Sequence, residues 1–179
     1  MQKTGVLSIA AWQRISYNLP GFGCQFYPSC SNYGTQAIKE YGLLAGAVVT
    51  ADRIVRCNPF AWHYHLENHG QLNPSDGRLV DPVIPEPAVT TTSKSPCLAA
   101  VLSAVVPGSG RAYAGRPWDG LMGFMTVALT TTAAYGALTT DWPIEGGIFL
   151  SFAKIFYAGE IYGAWRAAKY YPVSKPIVN

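Results

Sequence analysis

The sequence predicts an all-α protein in which a small helical cytoplasmic module precedes a two-helix transmembrane hairpin. Helical periodicity and capping residues fill the first third of the chain, whereas two long apolar runs, Leu121 to Leu138 and Ile144 to Trp165, dominate the second half. A Pro/Thr/Ser-rich stretch separates the two parts. We therefore expect a module at residues 1–86, a linker at 87–95 and a hairpin domain at 96–172.

The composition favours contact with a membrane. Charged residues make up 13% of the chain and apolar residues 49%, so the charged share is about half the usual ~25%. The net charge of +3 is unevenly placed, since residues 1–60 hold five Lys/Arg against two Asp/Glu, whereas residues 61–86 hold one against four. A basic module of this modest strength suits an anionic lipid surface, and it lacks the strong basic stripe expected of a nucleic-acid-binding protein.

The four cysteines, Cys24, Cys30, Cys57 and Cys97, are expected to be reduced thiols. Residues 1–11 lack the basic start, long apolar core and small-residue cleavage site of a signal peptide. Thiols on the cytoplasmic side of a membrane are kept reduced. A cytoplasm-facing module is therefore the expectation.

The module begins with two predicted helices. Residues 5–19 form the first, whose weak amphipathic pattern fits either a helix lying along the membrane or one docked on the core of the module. The second spans about 31–41, with Ser29 or Ser31 as its N-cap and Gly42 at its end.

A third helix, at about residues 43–56, is expected to carry an apolar stripe and a pair of arginines. The stripe consists of Leu44, Val48, Ala51 and Val55. Arg53 and Arg56 stand in the last turn, where their charges complement the helix dipole. The alternative, that they contact lipid phosphates or a nascent chain, stays open at this point.

Four short blocks in a fixed order form the most specific pattern in the chain. They are the stretch from Cys24 to Tyr33 (Cys-Gln-Phe-Tyr-Pro-Ser-Cys-Ser-Asn-Tyr), Ala37 to Gly42, Arg53 to Phe60 and Asp81-Pro82-Val83. Together they resemble the YidD family of small bacterial membrane protein insertion efficiency factors, over roughly residues 1–86. The resemblance implies a non-catalytic role in the insertion or assembly of integral membrane proteins at the cytoplasmic face of the inner membrane, without a cofactor.

The resemblance also suggests which residues matter. Those predicted to contact partners are Phe26, Tyr27, Tyr33, Arg53 and Arg56. Those predicted to maintain the module are Cys24, Pro28, Cys30, Cys57, Pro59, Asp81 and Pro82. The expected partners are membrane lipid, nascent membrane proteins, the Sec translocon and the insertase, and no nucleic acid.

After Phe60 the sequence becomes polar and irregular, and a loop is predicted at residues 61–70. It holds the three histidines of the chain, His63, His65 and His69. A zinc site is one alternative, with Cys24, Cys30, Cys57 and His63 as its ligands. The Cys-x5-Cys spacing is wider than the usual two to four intervening residues. Thiols packed in a small helical core are therefore the favoured interpretation, and no metal is expected.

The hairpin domain opens with an apolar segment, Cys97 to Val106, that is too short to cross a membrane. Membrane-spanning helices are predicted at about residues 119–138 and 144–165. The second of them contains Lys154, whose charge costs ~2.5 to 3.5 kcal/mol near the bilayer centre on an insertion scale. We therefore expect Lys154 to have a structural or partner-binding role.

A turn motif precedes the first of these two helices. Its residues are Pro107, Gly108, Gly110, Tyr113 and Gly115. With the closing block from Tyr162 to Tyr170, it resembles a family of small bacterial membrane domains, which implies a hairpin architecture and little else. Basic residues precede the first helix and follow the second, but none lies between them, so both ends are expected in the cytoplasm.

Two other functions remain open at this stage. The fused hairpin and the long histidine loop also suit a structural subunit of one membrane complex, and some relatives of the family are described as membrane-lytic. No catalytic arrangement can be argued from the residues, so an enzyme is not expected.

Overall fold

The structure, a computed structural model, describes residues 24–67, 70–84, 94–140 and 142–170. Helices make up most of these residues, which confirms the all-α prediction. The helices are α1 (Cys30–Tyr41), α2 (Leu43–Arg56), α3 (Ala61–Glu67), α4 (Pro96–Val105), α5 (Ser109–Tyr113), α6 (Pro117–Thr139) and α7 (Pro143–Tyr170). Two short strands, β1 (Phe26–Tyr27) and β2 (Leu79–Val80), pair in parallel. The helix predicted at 5–19 and most of the linker lie outside the described residues.

The first two helices form a tight helical hairpin. The side chain of Ser29 caps α1 by accepting a hydrogen bond from the backbone N–H of Asn32 at 3.5 Å. Gly42 ends α1 with a φ of 83°, a left-handed value that suits glycine. Gly46 lets the helices approach closely, because a Cβ atom there would lie 2.6 Å from the Cα atom of Ile38.

Helix α2 buries a different face from the predicted one. Ala51 and Val55 of the predicted stripe are buried, but Leu44 is 78% exposed. The buried face instead includes Asp52 and Arg53, both 0% exposed. Charged residues can occupy this face because they are paired with one another, as described below.

Residues 61–67 form helix α3, so the predicted loop is wrong there. The side chain of Asn58 accepts a hydrogen bond from the backbone N–H of Phe60 at 2.9 Å, which satisfies a donor just before the helix. Tyr64 is 3% exposed, and its hydroxyl accepts a hydrogen bond from the N–H of Trp118 at 3.1 Å. The polar composition of this segment did not indicate a helix, although α3 contacts the second half of the chain through Tyr64.

Helices α6 and α7 run antiparallel. Gly123 lies against the carboxylate of Glu160, and further along the pair Gly146 lies against Leu138. Among the described helices, α6 is the one that is long and apolar enough to cross a membrane. The second predicted membrane span, in α7, carries charged residues and stays a prediction.

Helix α4 packs antiparallel to α7. Ala99, near its start, belongs to a buried cluster with Ala164, and Ala104, near its end, accepts a hydrogen bond from the hydroxyl of Tyr157 at 2.5 Å. Gly108, with a φ of 89°, then turns the chain back into α5. The end of α4 therefore lies beside the middle of α7.

Helix α2 packs parallel to the C-terminal half of α7. A Cβ atom at Gly159 would lie 2.8 Å from the Cβ atom of Ala51. Asn58, just beyond the end of α2, donates a hydrogen bond at 2.7 Å to Asp119 at the start of α6, which lies beside the C-terminal part of α7. The start of α2, including the exposed Leu44, therefore points toward the middle of α7. Both α2 and α4 accompany α7 over only part of its length.

Candidate functional site

The motif loop closes around the side chain of Arg53. The guanidinium carbon lies 4.8 Å from the centroid of the Phe26 ring and 4.2 Å from that of the Tyr33 ring. One guanidinium nitrogen, Nη2, donates a hydrogen bond to the carbonyl oxygen of Pro28 at 2.7 Å. Because Phe26, Tyr33 and Arg53 are all buried, these cation–π contacts are shielded from water. The loop therefore forms a core.

Two buried carboxylates organise the charges around this core. Asp81 follows β2 and pairs with Arg53 at 3.3 Å and with Arg56 at 2.9 Å. Asp52 lies one turn before Arg56 on α2 and pairs with it at 3.1 Å. The strand pairing positions Asp81, since its backbone N–H donates to the carbonyl oxygen of Tyr27 at 3.0 Å.

The second half of the chain adds two arginines and a glutamate to these charges. Arg166 of α7 donates to Asp52 at 3.1 Å and to Asp81 at 3.2 Å. Arg111 of α5 donates to Asp52 at 2.7 Å and to Glu160 of α7 at 2.8 Å. We call the full set the junction cluster: Asp52, Arg53, Arg56, Asp81, Arg111, Glu160 and Arg166. Four guanidinium groups thus face three carboxylates between the two halves of the chain.

The two aspartates are ionised parts of this cluster. Burial alone would raise the pKa of Asp52, but the charges of Arg56, Arg111 and Arg166 hold it well below its ordinary value. The pKa of Asp81 is lowered in the same way, against the effect of burial, by neighbouring arginines. Both carboxylates are therefore fixed negative charges at neutral pH.

A second set of contacts joins the halves beside α3. The carboxylate of Asp119 accepts hydrogen bonds from Asn58 Nδ2 and from Arg116 Nε, each at 2.7 Å. The ring of Phe60 stacks on Trp118, with centroids 4.4 Å apart and an interplanar angle of 7°. The module and the hairpin domain therefore share a buried interface as well as a covalent linker.

Most residues predicted to contact partners lie inside this arrangement. Phe26, Tyr33, Arg53 and Arg56 are buried, and only Tyr27 of the five is exposed, at 46%. Burial of the two arginines favours the structural one of the two roles that the sequence leaves open.

Tyr27 lies at an open cavity of about 610 Å³. Arg78 also lines this cavity, with its guanidinium carbon 5.2 Å from the centroid of the Tyr27 ring, and Lys39 and Cys24 lie along the wall. Arg78 is paired with Asp76 at 2.7 Å. The cavity therefore has a mixed polar and aromatic wall beside one of the cysteines.

Three cysteines from separate segments converge at this edge of the module. Cys24 precedes β1, Cys30 is the first residue of α1, and Cys57 follows α2. The sulfurs of Cys24 and Cys30 are 3.5 Å apart, and all three sulfurs lie within 4.8 Å of one another. His63, the fourth ligand of the zinc alternative, lies outside this group and pairs with Glu67 at 3.1 Å.

The turn motif lies at the junction of α4, α5 and α6. A Cβ atom at Gly108 would collide with the backbone of Gly120, and one at Gly110 would collide with the carbonyl oxygen of Ala99. Tyr113 packs against the same small-residue cluster as Ala99. Of the other predicted positions, Pro107 and Gly115 are partly buried, whereas Pro59, Pro82 and Lys154 are exposed.

Sequence reasoning did not identify Arg111, Glu160 and Arg166 as members of a buried cluster. The two arginines lie near helix ends, where they also satisfy the rule for membrane orientation, and that explanation hid their structural role. Glu160 offered the best clue, because a carboxylate inside an apolar run needs a partner. The partner comes from α5, 49 positions away in the sequence.

Comparison with known proteins concerns the first part of the chain. The YidD family model, described as "Putative membrane protein insertion efficiency factor", matches residues 1–65. Proteins of that name from Exiguobacterium sp. and Thermoanaerobacter pseudethanolicus are 43% and 42% identical over 60 residues. The aligned segment covers 34% of this chain, and 67% and 87% of those two relatives. No solved structure matches the chain.

Proposed function

Because the chain belongs to the YidD family, we propose that it is a non-catalytic, membrane-associated factor that assists the insertion or assembly of integral membrane proteins. Relatives that it matches over most of their length carry the name membrane protein insertion efficiency factor, which denotes no enzyme activity. The proposed location is the cytoplasmic face of the bacterial inner membrane, close to the Sec translocon and the insertase.

The observation that carries this proposal is the attachment of the family module to an apolar helix. Helix α6 is long and apolar enough to cross a membrane, and its first turn is bonded to the module through Asp119 and Asn58 at 2.7 Å. Arg111 and Arg166 of the junction cluster add buried ion pairs between the same two parts. The module is therefore held at one end of α6, where an inserting segment would leave water.

Exposed apolar side chains extend from the module along the helix pair. Leu44 at the start of α2 is 78% exposed, and Val105 at the end of α4 is 76% exposed. Both helices reach only the middle of α7, so in a membrane they would contact acyl chains of the cytoplasmic leaflet. This exposed apolar surface of α2 and α4 suits an apolar nascent segment that has entered the interface but has not yet crossed the bilayer.

On the aqueous side, we expect contacts with nascent chains to come from exposed aromatic residues of the module. Tyr27 and Trp62 are 46% and 41% exposed. Aromatic side chains combine a large apolar area with tolerance of the membrane interface. Phe26 and Tyr33 would act indirectly, by supporting the loop that carries Tyr27.

Co-purification from native membranes tests this function. The full-length protein, isolated in mild detergent, should bring with it translocon and insertase subunits together with many membrane proteins at low stoichiometry. One fixed set of partners at near-integer ratios would contradict an insertion factor and would indicate a dedicated subunit of one complex.

Site-specific crosslinking gives a second test. A photoreactive amino acid at Trp62 should crosslink to ribosome-bound nascent membrane proteins. The same amino acid at Ser75, which is exposed on a polar turn, is the matched control. Equal crosslinking from both positions would contradict the proposed contact surface.

A further inference from the structure

We propose that Cys24, Cys30 and Cys57 bind one Zn²⁺ ion through their three thiolates, with the fourth coordination position open to solvent. The site lies on the module, at the edge of the cavity beside Tyr27. It goes beyond the role in membrane protein insertion, and neither proposal depends on the other.

The three sulfurs are spaced for a single ion. Zn²⁺ binds thiolates at about 2.3 Å in tetrahedral geometry, which separates its sulfur ligands by about 3.8 Å. The sulfurs of Cys24 and Cys30 are 3.5 Å apart, and no pair among the three exceeds 4.8 Å. Small side-chain adjustments would therefore place all three sulfurs on one ion.

The exposure of these thiols does not fit core packing, the interpretation that the sequence favours. Cys24 and Cys30 are only partly buried, and Cys57 is exposed. Cysteines that serve as small apolar residues are among the most buried side chains in proteins. Three thiols from three segments, brought together where solvent reaches them, fit a ligand site better.

A helix N-terminus and a hydrogen-bond donor lie close to the sulfurs, which bind zinc as thiolates. Cys30 occupies the first turn of α1, where the helix dipole is positive. The side-chain nitrogen of Gln25 lies 3.6 Å from the sulfur of Cys57. Donors of this kind hold metal-binding sulfurs in place.

The fourth position would be taken by water or a small external ligand. Within the described part of the chain, the three cysteines form the one group of His, Cys, Asp and Glu side chains that could share an ion. The exposed side of Cys57 and the cavity next to Cys24 leave room on the solvent side. An ion held by three protein ligands keeps a position open for exchange.

Metal content, measured on the full-length protein in detergent, is the first test. Protein that has been reduced, loaded with Zn²⁺ and freed of excess metal should contain about one zinc ion per chain. Cys57→Ser should lose this zinc and stay folded, because Cys57 is exposed. Cys97→Ser is the matched control, since Cys97 is exposed on α4 and should not affect binding. Equal zinc content in both variants, or none in the parent, would overturn the proposal.

Site-resolved alkylation distinguishes zinc binding from a disulfide. Free Zn²⁺ at about ten times its dissociation constant should slow alkylation of the three ligands about tenfold and leave Cys97 unchanged. Unchanged reactivity of Cys24, Cys30 and Cys57 would exclude the site. A disulfide between Cys24 and Cys30 in protein trapped from native membranes would replace the zinc site with a redox pair.

Discussion

Asp52, like Asp81, pairs with three of the four arginines in the junction cluster. It pairs with Arg111 at 2.7 Å, and with Arg56 and Arg166 at 3.1 Å each, and its side chain is 0% exposed. Desolvation offsets much of the attraction between buried ions, so such a cluster adds little net stability compared with an apolar core. We expect its main effect to be on specificity, by fixing which faces of the two halves meet.

Replacing Asp52 with Asn should weaken the fold severely. Asn has nearly the same shape as Asp, but it removes the charge that compensates Arg111 and Arg166 at the interface. Loss of one partner from a buried ion pair costs about 3–5 kcal/mol. The expected result is a marked fall in the melting temperature of the full-length protein in detergent.

Asp76→Asn is the matched control for this change. Asp76 pairs with Arg78 at 2.7 Å, but both side chains are about one third exposed, at 36% and 33%. Surface pairs of this kind contribute little to stability. We therefore expect Asp76→Asn to melt at the same temperature as the parent. If Asp52→Asn also melted at that temperature, the junction cluster would not hold the two halves together.

The lowered pKa of Asp52 predicts how the destabilisation caused by Asp52→Asn depends on pH. An aspartate in the unfolded chain titrates near pH ~3.9, whereas burial opposed by three arginine charges leaves the folded pKa of Asp52 lower still. The unfolded state therefore takes up protons first as the pH falls, and the stabilisation is present above the unfolded pKa and is lost below it.

The difference in melting temperature between the parent and Asp52→Asn should therefore be constant from about pH 8 to about pH 5 and should shrink below about pH 4. Using the difference cancels the titration of groups that both proteins share. A difference that already shrinks near neutral pH would mean that Asp52 is not an ionised partner of the arginines.

At the scale of elements, two glycines on α7 form the surface on which α2 packs. A Cβ atom at Gly159 would lie 2.8 Å from the Cβ atom of Ala51, and one at Gly163 would collide with Arg111 and Asp52. Small residues spaced four apart let helix backbones approach closely in membranes. The contact between the two helices, and with it the geometry of the junction cluster, therefore depends on the absence of side chains at these two positions.

Gly159→Leu should push α2 away from α7. Overpacking of this kind costs typically about 1–3 kcal/mol, and here it would also separate Asp52 from Arg166. The melting temperature should fall, and size-exclusion chromatography in detergent should show less folded protein. Gly147→Leu on the same helix is the matched control, because no atom lies within 4 Å of its Cβ position. Equal losses in both variants would contradict the packing role of Gly159.

Helix α4 is expected to lie in the cytoplasmic leaflet of the membrane. Val101 and Val105 are 59% and 76% exposed, while Ala99 on the opposite face is buried against α7. A photoreactive amino acid at Val105 should therefore form adducts with lipid in native membranes, and the same group at Ser75 should form few. Lipid adducts confined to Ser75, or absent from Val105, would place α4 in water.

At the scale of the whole molecule, the features that follow local rules were predictable from the sequence. The helix predicted at about 43–56 is α2, which follows Gly42 as expected and ends before Cys57. The apolar run from Leu121 to Leu138 lies within α6, because a long run without charges favours one continuous helix. The cap at Ser29 also follows a local preference.

The junction could not be predicted, because it joins charges that are far apart in the sequence. Arg166 meets Asp81 across 85 positions, and no local periodicity links the two. Arg53 suits the end of α2 whether it is buried or exposed, so its position did not distinguish the two roles. For the same reason, the spacing of Cys24 and Cys30 counted against a metal site, although folding brings Cys57 beside them.

The junction also bears on how the protein is oriented in a membrane. Helix α2 packs on the C-terminal half of α7, while α6 begins beside the module at Asp119. If α6 and α7 cross the bilayer, the module must lie on the side where α6 begins and α7 ends. Basic residues flank the hairpin on that side, and the connection near Thr140 has none, so the rule for positive charges directs the module to the cytoplasm.

Thr140→Cys tests this orientation. Thr140 is exposed in the short connection between α6 and α7, so the new thiol should react with a membrane-impermeant maleimide in intact spheroplasts. The parent protein is its own control, because Cys97, exposed at the start of α4, should react only after the membrane is opened. Labelling of the parent in intact spheroplasts would put the module outside. A Thr140→Cys protein that reacts only after opening would mean that the hairpin does not cross the bilayer. The module would then depend on its own exposed apolar side chains, such as Leu44, for contact with the membrane.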